Sequence, residues 1–266
     1  NQFDEDARGS TGAVEPFGPN DDLMTWDLSR ILRAIDRQFQ RSLESAGQLK
    51  QVPIAKYQRL ILRGTVPDQY RPTMYDLLVH HALEFYMAGE QAGSRSIHAF
   101  DLLADSPIFD PLADFLAWEP QSQDDRAPML VAVRLFQDLM RFHLNDDDPT
   151  ALLDVDLHRL EFGNNHAIGP EKSAQYRVAL DRFIAVNVSH PISASAQANL
   201  AQLLVDAQEF SDAHVLAKTA IQKFPDSVGG RRCYNLIQQI EAREVHIVTE
   251  RVWNEPWPTI EVSYRN

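Results

Sequence analysis

Over most of its length the chain places apolar residues three or four positions apart, and only its last stretch alternates strictly between apolar and polar. The first pattern predicts amphipathic helices and the second a half-buried strand. Met129, Val133, Phe136, Met140 and Leu144 form the clearest helical stripe, and Leu28, Ile31, Leu32, Ile35, Phe39 and Leu43 form another, with Thr25 as its expected cap. Pro53 is expected to open a shorter helix that stops at Gly64. Thr73 with Asp76 reads as a capping box for a helix from Met74 to Ala88, closed by Gly89. Pro107 and Pro111 interrupt the segment from Ile97 to Trp118, so one or two brief helices are expected there. Asp148-Pro149 reads as a cap followed by a first-turn proline, for a helix through Leu153, Leu157 and Leu160 that Gly163 ends. Gly169-Pro170 opens the next helix, with Glu171 near its positive end.

Ala194 to Ser227 carry a tetratricopeptide-type repeat. With Ala194 as the first of 34 positions, the signature places hold Leu200, Ala201, Leu204, Phe210, Ala213, Ala220 and Pro225. Two crossing helices need small residues at the contact, large apolar ones between them and a proline to end the second. The repeat departs from the pattern at Gln197, where tryptophan is usual, and at Gln208, where a turn glycine is usual. A degenerate copy precedes it, since Ala179, Phe183 and Pro191 stand 34 positions before Ala213, Ala217 and Pro225. After Arg243, Ile260, Val262 and Tyr264 alternate with Glu261, Ser263 and Arg265, and an Asn254 to Pro258 turn joins them to Val245 to Val252. Two strands alone are marginal in water, so the pair is expected to begin a β domain.

The fold expected is therefore all-α: stacked antiparallel helix hairpins, a tetratricopeptide-like right-handed solenoid, ending in a short C-terminal β-hairpin. Residues 1–22 read as an irregular arm, 23–165 as a helical region, 166–244 as tetratricopeptide-like hairpins and 245–266 as the strand pair. With 266 residues, 44% of them hydrophobic, the chain can bury a large core, and no stretch is long and apolar enough to span a membrane. A net charge of -13 without a local basic run argues against nucleic acid as a partner. Since the sequence starts at Asn1 with neither methionine nor signal peptide, it is expected to be a piece of a longer protein.

Candidate chemistry is sparse. His80-His81 with Glu84 is the nearest approach to a metal set, but on a helix only His80 and Glu84, four apart, share a face, and zinc needs three or four converging ligands. Asp146-Asp147-Asp148 lacks the alternating oxygens, glycine and terminal glutamate of a calcium loop and reads as a solvated turn ending in the cap Asp148. Neither a phosphate loop nor a nucleophile elbow occurs. Cys233 shares an apolar helix face with Leu236, Ile237 and Ile240 and reads as a buried, inert thiol. The expectation is a protein with no catalytic residues, no metal and no cofactor. On a tetratricopeptide-like pair the first helix lines the concave surface, so Ser195, Ala198, Asn199, Gln202 and Asp206 are expected to be exposed there. Ser195, Asn199, Gln202 and Asp206 are the candidate peptide-binding residues, Asn199 because an amide donates and accepts at once.

Pro72-Thr73-Met74-Tyr75-Asp76-Leu77-Leu78 leading into His81-Ala82-Leu83, Leu139 to Leu144, and Asp156-Leu157-His158-Arg159-Leu160 resemble the N-terminal helical region of large bacterial alpha-macroglobulin-like proteins of the Bacteroidetes type. Thr249-Glu250, Pro256 and Tyr264-Arg265-Asn266 resemble the first strands of the β-sandwich that follows that region. The resemblance covers the chain from about Trp26 onward and rests on packing and capping residues. It implies an exported protein of the periplasm or cell surface, whose full-length form traps proteases through a bait segment and, in many members, a reactive thioester. Cys233, followed by Tyr234-Asn235-Leu236, lacks the glutamine spacing of the thioester. The leading expectation is a non-catalytic helical scaffold whose partners are other domains of the same chain or a protein or peptide. A free-standing peptide-binding repeat protein and an enzyme with an unrecognised site stay open.

Overall fold

A computed structural model describes residues 23–62, 64, 66–88, 100–242, 244–249 and 260–265. The expected arm 1–22, the stop at Gly89 and the Asn254 to Pro258 turn lie outside the described residues. The protein is mostly helical, and it divides into two compact units, 1–42 and 43–266.

In the first unit, helix α1 spans Leu28–Leu43. Its cap is Asp27, which accepts a bond from the Arg30 amide at 2.7 Å. Thr25 instead ends a single 3-10 turn, Leu23–Thr25. The expected cap was two residues early because Thr and Asp both suit the role and only the chain's path decides between them.

The second unit begins with α2, Ala46–Leu49, a single turn. Where a helix from Pro53 was expected, the chain forms only a 3-10 turn, Ile54–Tyr57, with Pro53 at its N-cap. Helix α3, Met74–Met87, starts as its sequence dictates. Thr73 Oγ1 accepts from the Asp76 amide and Asp76 Oδ2 accepts from the Thr73 amide, a complete capping box. The proline-broken segment yields a 3-10 turn, Pro107–Phe109, and a short α4, Leu112–Ala117. Helices α5, Pro128–His143, α6, Thr150–His166, and α7, Lys172–Val186, follow. Each packs on its predecessor, and α3 packs on α5.

Gly163 does not end α6, which continues for three more residues to His166. A Cβ there would stand 2.7 Å from the Phe109 ring, so the glycine serves a close approach between α6 and the Pro107–Phe109 turn. Sequence alone cannot tell a stop glycine from a contact glycine.

The tetratricopeptide-type segment forms α8, Ser193–Asp206, and α9, Phe210–Lys223, with α10, Val228–Glu241, packed against both. Their seam is made of small side chains: Ala194, Ala198, Ala201, Ala213, Ala217 and Ala220 are buried, with Leu204, Cys233, Leu236 and Ile237 beside them. The backbones come into contact at Gly229, where a Cβ would fall 2.1 Å from the backbone nitrogen of Ser195. Gln208 holds the turn position where glycine is usual, and its φ is +64°, the left-handed region. Strands β1, Glu244–Thr249, and β2, Ile260–Arg265, pair antiparallel, Val245 facing Tyr264 and Ile247 facing Val262.

Two substitutions read this seam in opposite directions. Gly229→Ala should lower stability by about 1–3 kcal/mol, because backbone rather than a flexible side chain blocks the new methyl. Gln208→Gly should raise it by roughly 0.5–1 kcal/mol through relief of the left-handed strain. Urea midpoints that stay at the wild-type value in both variants would contradict the described seam.

Candidate functional site

Helix α6 has buried residues on every side of its axis, and its polar side chains at such positions, Asp154 and Arg159, cannot turn to water. Arg159 is 1% exposed. Its guanidinium donates to Asp156 Oδ1 at 2.9 and 2.7 Å and to the carbonyls of Ile108 at 2.7 Å and Asp110 at 3.0 Å. It also stacks 4.6 Å from the centre of the Phe115 ring. These bonds fasten the irregular segment before α4 to α6. Beside it, Gln137 Nε2 donates to the Phe115 and Trp118 carbonyls, both at 2.8 Å, which satisfies the end of α4.

A second buried group joins α3 to the end of α5. His143 Nε2 lies 2.6 Å from Asp76 Oδ1 and Nδ1 lies 2.7 Å from Asp146 Oδ2. A ring with a carboxylate at each nitrogen is held as the doubly protonated cation. Burial opposes the charge, but the hydrogen bonds and negative charges of Asp76 and Asp146 outweigh it, and the His143 pKa is raised. The capping carboxylate of α3 is thereby also the anchor of α5.

The third group is incomplete. His80 on α3 and Asp154 and His158 on α6 bring one nitrogen or oxygen each to within 4.8 Å of one another. The rings of His80 and His158 meet edge to face, with centroids 5.3 Å apart. His80 Nε2 and Asp154 Oδ2 are buried and, among the described residues, have no hydrogen-bond partner. Arg71 Nε stands 4.0 Å from Asp154 Oδ2, beyond hydrogen-bond reach, and is unpartnered as well. Burial pushes the His80 pKa well below its usual value, helped by the charge of Arg71 and by the neighbouring histidines. Burial raises the pKa of Asp154 against the opposing pull of His158 and Arg71. Sequence reasoning joined His80 to Glu84, but Glu84 is exposed and bonds His81 Nδ1 at 3.1 Å. The missed signal was the four-residue spacing of Asp154 and His158, which places both on one face of α6.

Of the candidate groove residues, Asn199, Gln202 and Asp206 line a cleft of about 230 Å³ together with Glu161, Asn164, Asn165, Tyr176, Leu203 and Arg232. Ser195 is not among them. It is buried, as are Ala198 and Asn199, contrary to the expectation that all five positions face out. The reason is α10, whose Gly229 brings its backbone onto the start of α8. The Asn199 amide is already used on both sides, donating to Glu161 Oε1 and accepting from Arg232 Nη2, each at 2.6 Å. Gln202 donates to Asp206 at 2.9 Å on the exposed side. The expected cap Asp148 lies one residue ahead of the N-cap of α6, which is Pro149; its carboxylate accepts from the Thr150 amide at 2.9 Å, while Asp146 serves His143. Cys233 is fully buried, with its thiol pushed up to about 11 by burial.

No protein-family model, curated protein or solved structure matches the chain.

The His143 cation gives a signed pH dependence. A pKa raised on folding contributes stability that is complete below the unfolded value of 6.5 and is lost as pH rises through the folded value. Urea unfolding from pH 6 to 9 should therefore show the wild type losing stability relative to His143→Asn. The variant itself should be weaker by about 3–5 kcal/mol at pH 6, since Asp76 is left buried without its partner. Parallel pH profiles for the two proteins would contradict the assignment.

Proposed function

We propose that this chain is a non-catalytic helical scaffold at the N-terminus of an exported alpha-macroglobulin-like protein, and that its strand pair opens the first β-sandwich domain of that protein. In this reading α8, α9 and α10 continue α6 and α7 as antiparallel, tetratricopeptide-like hairpins in a right-handed stack. The stack positions the β domains of a protease trap. Bait and any thioester belong to those domains, and export follows from the resemblance.

The observation that carries the reading is the bare face of β2. Ile260 and Val262 point the same way and are 52% and 55% exposed. Each large aliphatic side chain is worth about 1.5–3 kcal/mol when fully buried, so a two-stranded ladder with this face in water is short of a partner layer. A following β layer supplies it. One further observation bears on the alternative. The Asn199 amide is consumed by Glu161 and Arg232, which leaves it unable to clamp a peptide and disfavours the free-standing peptide-binding alternative.

Amide hydrogen exchange tests the proposal, comparing this chain with the same chain extended through the sequence its gene encodes after Asn266. Ile260 to Tyr264 should exchange readily in the first and become protected by at least tenfold in the second. Equal exchange in both, or a stop codon directly after Asn266, would overturn it.

A further inference from the structure

Buried polar atoms in a folded protein have partners, and exceptions mark a missing water, ion or ligand. Among the described residues that rule is met by Arg159, by Asn199 with Glu161 and by His143, and it fails at one place, where the unpartnered atoms of two helices face each other. We propose that His80, Asp154 and His158 form a binding site for one divalent transition-metal ion, zinc in first place, which straps α3 to α6.

The donor set selects the ion. Two imidazole nitrogens and one carboxylate oxygen suit zinc and its neighbours, whereas calcium and magnesium require shells of oxygen. Three protein ligands leave a fourth position for water. His158 is partly exposed, so this position opens toward solvent and gives the ion its entry. His80 is 3% exposed, and its Nε2 has nothing else to bond among the described residues. The site is preorganised on the α6 side, because Asp154 and His158 are one turn apart on a helix fixed by its burial. Ligand atoms around tetrahedral zinc lie about 3.4 Å apart for bonds of about 2.05 Å. Closing from 4.8 Å therefore needs a shift of roughly an ångström, which rotation of the half-free His158 ring supplies. Arg71 competes for Asp154 but holds it loosely at 4.0 Å, and with a side chain 30% exposed it can swing outward as the ion enters. His81 and Glu84, adjacent in sequence and bonded to each other on the outer face of α3, take no part.

The test uses the purified chain, stripped with a chelator and titrated with zinc and, as a coloured reporter, cobalt. One equivalent of zinc should bind at micromolar concentration or tighter and raise the thermal midpoint by several degrees. Cobalt should give the visible absorption of a four-coordinate site, displaced by zinc. Affinity should fall at least tenfold in His158→Asn, whose partly exposed position tolerates the change, and in Asp154→Asn, which keeps the carboxylate's shape. His81→Asn should bind like the wild type. The proposal is overturned if no stoichiometric zinc binds, if both site variants bind as tightly as the wild type, or if His81→Asn is the variant that loses the ion. Circular dichroism of each variant, matched to the wild type, confirms that loss of binding is not loss of fold.

Discussion

A helix with buried positions on every side must find a partner for each polar side chain it buries, and α6 is such a helix. Most of the second unit is arranged around that requirement. Arg159 draws the Pro107–Asp110 segment onto it, and Glu161 reaches through Asn199 to α8 and α10. Each link takes a stretch of chain with little helical order of its own, or a helix distant in sequence, and ties it to one axis. Removing a partner from such a group leaves a desolvated charge or dipole, which is why these links hold the fold more firmly than the exposed ion pairs of the surface.

Beyond α6 the constraint changes from polar satisfaction to distance. Between α8, α9 and α10 the side chains are reduced to alanine and, at Gly229, to hydrogen, so that backbones come into contact. Close crossing gains dispersion contacts along the whole seam and fixes the relation of the helices without specific polar pairs. It also explains the inaccessibility of Ser195 and Asn199, since the surface that a free α8 would present is occupied by α10.

Much of this architecture is legible in the chain. The stripe from Met129 to Leu144, the Thr73–Asp76 box and the alanines of the repeat are local statements, carried by spacing alone, and the helices they specify are present. What could not be read is what depends on a second element. Gly163 is a stop by its sequence and a contact by its neighbour Phe109. His80 has Glu84 one turn away, yet its side chain belongs to α6, because burial and not spacing decides which way a helix faces. Asp76 looks like a cap and is one, but its other oxygen anchors a histidine 67 positions away. The polar clusters join residues far apart in sequence, from 33 positions between Asn199 and Arg232 to 67 between Asp76 and His143, and one sequence offers no signal that joins them.

The claim that buried polar partnering on α6 organises the unit is tested most directly at Arg159. Replacing it with methionine keeps an unbranched apolar stem and removes every donor. Amide exchange should then accelerate at Asp110, Asp114 and Phe115, whose own backbone bonds lie in the segment that Arg159 holds, and the urea midpoint should fall. Exchange at these amides unchanged from the wild type, with an unchanged midpoint, would contradict the account.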